Sequence, residues 1–128
     1  MNTINKTAVI ILADPKPGTD EALGRLFNAL VTAYDAKQRG DEVEVVFQGA
    51  GTRWTDLITH KDHPANALYE AVKDKIVGVS CGCADVFGAT AAAKDNGFTL
   101  LKEAQIPGTN GLASIAGRLA EGYRVVTF

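Results

Sequence analysis

Gly78-Val79-Ser80-Cys81-Gly82-Cys83-Ala84-Asp85-Val86-Phe87-Gly88-Ala89 is the stretch on which the reading of the chain turns. Ile76 to Val79 reads as the end of a buried strand and Ala84 onward as a helix, with both cysteines of the chain in the turn between them. A strand that runs into a helix N-terminus leaves backbone N–H groups without intrahelical partners and adds the positive end of the helix dipole. Both favour an anion, so a thiol placed there should ionise more readily than a free cysteine. Gly82 lets the backbone turn sharply and approach a substrate. Asp85 competes for the same positive potential, or caps the turn without affecting the thiol. The bland alternative is two small apolar residues packed at a tight junction.

Working outward, the flanking segments alternate between strand and helix. Thr7 to Ala13 is a near-continuous apolar run, as in a strand buried on both faces, and Asp14-Pro15-Lys16-Pro17-Gly18 ends it with turn chemistry. Leu23, Leu26, Phe27, Leu30 and Tyr34 recur at helical spacing, with Thr19 or Asp20 as cap and Gly40 as stop. Glu42 to Phe47 is a second strand, followed by Gln48-Gly49-Ala50-Gly51-Thr52-Arg53 and a short helical segment over Trp54, Leu57 and Ile58. His63-Pro64 opens another helix, Lys75 to Ser80 is the third strand, and an alanine-rich helix runs to about Ala93. Phe98 to Leu101 reads as a short strand and Ile106 to Gly111 as a loop. Leu112, Ile115, Ala116 and Leu119 mark a last helix, and Tyr123 to Phe128 a final strand.

Strands alternating with helices predict a single α/β domain over residues 1–128, a mostly parallel five-stranded sheet covered on both faces. Ligands of such sheets bind beyond the carboxyl ends of the strands. Asp14, the Gly49–Arg53 loop and the Cys81–Cys83 turn all follow strands, so they should share that edge. Thirteen basic against fifteen acidic residues give a net charge of −2, which argues against a nucleic-acid or anionic-membrane partner. No apolar run nears the roughly 20 residues of a membrane span, and no basic region followed by an apolar block opens the chain. A cytoplasmic location is expected, where closely spaced cysteines suggest reactivity or metal binding rather than a disulfide framework.

The other polar positions each carry two readings. Gly49-Ala50-Gly51 is either a turn that needs positive φ or an anion-binding nest with Arg53 nearby. It matches neither the dinucleotide fingerprint nor a P-loop, so no cofactor is expected. His60 and His63 with the cysteines invite a zinc reading, but a Cys-x-Cys pair is too closely spaced for the usual zinc knuckle, and no metal is expected. Asp14 is a turn former or a ligand contact, and Trp54 belongs to the core or to a subunit interface.

Three segments resemble the DsrE/DsrF-like sulfur-relay family, which includes the TusD-type sulfurtransferase subunits. Val43-Glu44-Val45-Val46-Phe47-Gln48-Gly49-Ala50-Gly51 is similar to the family's second strand and its Gly-x-Gly turn. Ser80 to Gly88 resembles its cysteine-bearing strand and helix start, and Leu119 to Val126 its C-terminal helix and strand. The resemblance implies a three-layer flavodoxin-like domain that assembles into trimers or hexamers and carries sulfur as a cysteine persulfide. Aligned back from Gly88, the family cysteine falls at Ser80 without a gap or at Cys81 with a one-residue deletion. Phe87 stands where some relatives have a basic residue.

The resulting expectation is a sulfur carrier or sulfurtransferase-like protein. Cys81 would hold the persulfide and Cys83 would act as resolving thiol or alternative acceptor, while donor and acceptor proteins would serve as partners. Asp14, Gly49, Ala50, Gly51, Arg53, Gly82 and Asp85 are the expected ligand contacts, and Trp54 and Phe87 the expected interface aromatics. The rival from another class is a non-catalytic module that binds a small anion or a partner protein at the same edge.

Overall fold

β1 (Lys6–Ile11) is apolar on both sides because both of its faces are covered, as the computed structural model shows for residues 4–128. β1 pairs in parallel with β2 (Glu42–Phe47) on one side and β5 (Arg124–Thr127) on the other, and β2 pairs in parallel with β3 (Ile76–Ser80). β4 (Leu100–Leu101) adds a two-residue edge to β3, which gives a five-stranded, all-parallel sheet in the order β4-β3-β2-β1-β5.

Alternate residues of the strands feed two cores. Val9, Ile11, Val45, Phe47 and Val79 pack against α1 (Asp20–Gln38), α2 (Asn66–Val72), α3 (Cys81–Val86) and α4 (Thr90–Asp95). Leu26 and Leu30 of α1 are fully buried there, each worth roughly 1.5–3 kcal/mol. Ala8, Ile10, Val46 and Leu101 face the other way, onto Ala113 and the start of α5 (Ile115–Ala120). The connections from β1 to β4 thus lie on one face, and the return to β5 crosses the opposite one. The chain leaves β3 and β4 toward different faces, and that divergence opens a crevice at the carboxyl ends of these two strands.

Several boundaries differ from the sequence expectation. The helix after β3 begins at Cys81 instead of Ala84, and it is two helices instead of one. α3 stops at Phe87 because Gly88 adopts φ +71 and Ala89 N–H closes onto Ala84 O at 2.8 Å. The helical segment near Trp54 is a 3-10 helix that starts earlier and takes in Gly49–Asp56. α2 starts at Asn66, and His63 Nδ1 accepts the Ala65 N–H at 3.0 Å. The last helix starts at Ile115 under a Ser114 cap, and Leu112 instead forms an antiparallel bridge with Ala104.

Candidate functional site

The crevice is built from the end of β3, the start of α3 and the loop that follows β4. Ser80, fully buried, accepts the Ala113 N–H on its hydroxyl at 3.0 Å and so ties that loop to the strand. Cys81 is the first residue of α3, and its thiol lies 4.0 Å from Oδ2 of Asp85, one helical turn on. Thr90 Oγ1 donates to Asp85 Oδ1 at 2.7 Å and Asn110 Nδ2 donates to Oδ2 at 3.0 Å. The bond from Thr90, then that from Asn110, holds the Asp85 carboxyl below the usual aspartate range.

Gly82 sits where the loop comes closest. Its N–H donates to Gly111 O at 2.8 Å, and a Cβ there would meet Leu112 Cδ1 at 2.5 Å. Gly82, Asp85, Val86, Gly108, Thr109 and Asn110 line a cleft of about 310 Å³. Cys83 is buried and lies two residues past Cys81, which on an α-helix places it on a different side of α3. Both thiols are free, Cys81 with 4% of its surface exposed and Cys83 with 9%.

Asp14 and Arg53 meet, as their positions after strands suggested, but they meet each other. Arg53 Nη1 reaches both Asp14 oxygens, at 2.9 and 3.1 Å, and its Nε donates to Phe87 O at 3.0 Å. The guanidinium also lies 5.4 Å from the centre of the Phe87 ring. Burial on its own would raise the Asp14 pKa, but the Lys16 N–H and Arg53 outweigh it and the carboxyl lies low. Arg53 thus braces the far end of α3, with its donors turned to Asp14 and Phe87.

The Gly49–Gly51 segment shows the turn conformation. Gly49 has φ +58, and the Gly51 N–H donates to Gln48 O at 3.0 Å. Gly51 passes so near β1 that a Cβ would lie 2.1 Å from Ile11 O. Ala50 stands half-buried between the two glycines. Trp54 belongs to the core, buried with its indole N–H on Ala13 O at 2.8 Å, whereas Phe87 is half-buried beneath Arg53. His63 packs on the Trp54 ring, and burial pushes its pKa down. Among the described residues, no three His, Cys, Asp or Glu side chains converge as a metal site would need.

Thr90, Thr109, Asn110 and Ser80 were missed as site residues. Asn110-Gly111 shows in the sequence only as loop chemistry, and nothing local marks the asparagine as a partner of Asp85, 25 positions earlier. Gln48 was missed in the same way. Its Nε2 reaches Ala113 O at 3.4 Å, and its buried Oε1 has no protein partner among the described residues.

Comparison with known proteins agrees with this architecture. "Uncharacterized protein MJ0733" of Methanocaldococcus jannaschii is 32% identical over 62 residues, 48% of this chain and 50% of that protein. The chain thus spans about half the length of the curated relative it matches. No solved structure gives a significant match. The family model for the DsrE/DsrF-like family matches residues 6–128. With nearly every described residue inside that match and a parallel α/β sheet carrying the cysteine turn, the chain belongs to the DsrE/DsrF-like family.

Proposed function

We propose that the chain is a sulfur carrier that holds sulfane sulfur as a persulfide on Cys81 and acts as a sulfurtransferase between a donor and an acceptor protein. The observation that carries this reading is the free Cys81 thiol at the first residue of α3, directly after β3 and beside the crevice, in a family generally related to sulfur relay. Cys81 would attack the outer sulfur of a donor R–S–S–H. The donor S–S bond breaks, a new S–S bond forms on Cys81, and the electron pair of the broken bond leaves with R–S. The Cys81 proton passes to that leaving sulfur, so Cys81–S–H and R–S–S–H become Cys81–S–S–H and R–S–H. Asp85 orients the S–H, and Gly82 keeps the approach narrow. Cys83, on another side of α3, serves as a second acceptor more readily than as a resolving thiol, because a Cys81–Cys83 disulfide would require α3 to unwind.

Cys81 has only 4% of its surface exposed, so a donor must bring its outer sulfur in through a narrow approach. The exposed Leu12, Leu57, Val86 and Ile106 follow β1, the 3-10 segment, β3 and β4, and they support a partner or further copies of the chain docking over this edge, in the cytoplasm. The test is intact-mass spectrometry after incubation with a persulfide donor. One added sulfur atom is expected on the unmodified chain and on Cys83→Ser, and none on Cys81→Ser. An adduct that survives in Cys81→Ser and disappears in Cys83→Ser moves the carrier role to Cys83. No adduct with any donor favours a non-catalytic module that binds a partner at this edge.

A further inference from the structure

We infer that Asp85 selects reagents at Cys81 by charge, so that the thiol takes sulfur from donors that react in an uncharged form, as protonated R–S–S–H does, in preference to ones that react only as anions, such as thiosulfate. The inference rests on the reading of Cys81 as the carrier, and it names the substrate class of that site. The Asp85 carboxylate lies 4.0 Å from the Cys81 sulfur, which puts it within a few ångströms of any group that reacts there. Thr90 and Asn110 fix both of its oxygens, so the charge cannot swing away. Among the described residues, Asp85 is the only charged side chain that lines the cleft.

Two groups that would welcome an anion already have partners. Arg53 is engaged with Asp14 and the Phe87 carbonyl, and the Gly82 N–H with Gly111 O. Lys102 and Lys94 act on Asp85, but neither lines the cleft. Transfer from thiosulfate would place sulfur on Cys81 and release sulfite, with two negative charges carried in and out past the carboxylate. A persulfide is largely ionised at neutral pH, but it gives up its outer sulfur from the protonated form R–S–S–H, which meets no such repulsion. Thiosulfate has no uncharged form there. At water-like screening a unit charge this close slows an anionic reagent by about fivefold per negative charge.

Two alkylating reagents of similar size, iodoacetate and iodoacetamide, read the charge alone. In a Cys83→Ser background, the ratio of their rates at Cys81 cancels the intrinsic reactivity of the thiol. The anion-to-neutral ratio should be about fivefold below that of free cysteine in the same buffer, and it should rise with added salt. Asp85→Asn keeps the shape and should restore the ratio, whereas Asp85→Glu should not. A wild-type ratio equal to that of free cysteine at low salt, or a ratio unmoved by Asp85→Asn, overturns the inference. The salt arm needs no variant, so a poorly folding Asp85→Asn does not rescue it. The donor arm compares the persulfide of N-acetylcysteamine with thiosulfate, and Asp85→Asn should narrow the gap between them. Charge selection without persulfidation by any donor removes the carrier reading and leaves the alkylation result standing. Persulfidation with an Asp85-independent ratio does the reverse.

Discussion

Gly51 and Gly82 look alike in the sequence and differ in what presses on them. A methyl at Gly51 would run into the backbone carbonyl of Ile11, whereas at Gly82 the first obstacle is the end of the Leu112 side chain. Gly51→Ala should therefore cost about 3 kcal/mol or more, and Gly82→Ala about 1–2 kcal/mol as Leu112 shifts, measured by urea unfolding. Equal costs would mean that the loop over Gly82 is as unyielding as β1. Arg118 is a second residue-scale case, nearly buried, with its guanidinium on Glu44 and Glu103. The hydrogen bonds from Arg118 hold the Glu103 carboxyl below its ordinary value of 4.5. A lowered folded-state pKa stabilises above the unfolded value and is lost as pH falls through the folded one. The urea midpoint should thus decline below about pH 4.5, with Asp14 and Asp85 contributing in the same direction. Glu103→Gln should cost about 1–2 kcal/mol at neutral pH, less than a fully buried pair, and should flatten the acid decline. An unchanged acid limb in that variant would remove Glu103 from the account.

At the scale of elements, the break between α3 and α4 sets the shape of the site. A single helix from Cys81 to Asp95 would carry Thr90 along the axis, away from Asp85. The turn at Gly88 instead brings Thr90 back to hydrogen-bond it. Gly88→Ala tests this through its sign. Nothing lies within 4 Å of a Cβ there, so the cost is the left-handed backbone alone, about 1–2 kcal/mol of destabilisation. Were the segment one helix in solution, the same change would stabilise it by roughly 0.5–1 kcal/mol. The alanine-rich pattern concealed the break, because Ala84 before it and Ala89, Ala91, Ala92 and Ala93 after it are all good helix formers.

For the whole molecule, the helices crowd one face of the sheet and α5 alone returns across the other. That asymmetry is what separates the loops after β3 and β4. It also leaves Leu12, Leu57 and Val86 exposed around the cysteine edge, Val86 with 73% of its surface. If copies of the chain associate there, light scattering should give a mass above the monomer at micromolar concentration. Val86→Glu should then lower that mass and move the unfolding free energy by less than about 0.5 kcal/mol. A clean monomer in the unmodified chain would count against the assembly.

The sequence by itself determined the parallel α/β architecture, through apolar runs spaced by amphipathic helices. It also placed both cysteines at one strand–helix junction beside Asp85. These are local properties, written in periodicity and turn chemistry within a few residues. Only the tertiary structure decided which polar groups are free. Arg53 looked available to an anion until Asp14, 39 positions away, proved to hold it. Asn110 looked like loop filler until the crossing over β4 set it against Asp85. Pairing across such separations depends on where the sheet brings its loops, and no local pattern records it. The cysteine segment was thus legible as a strand–helix junction beside Asp85, while the partners that fix the Asp85 carboxylate emerged only once the chain was folded.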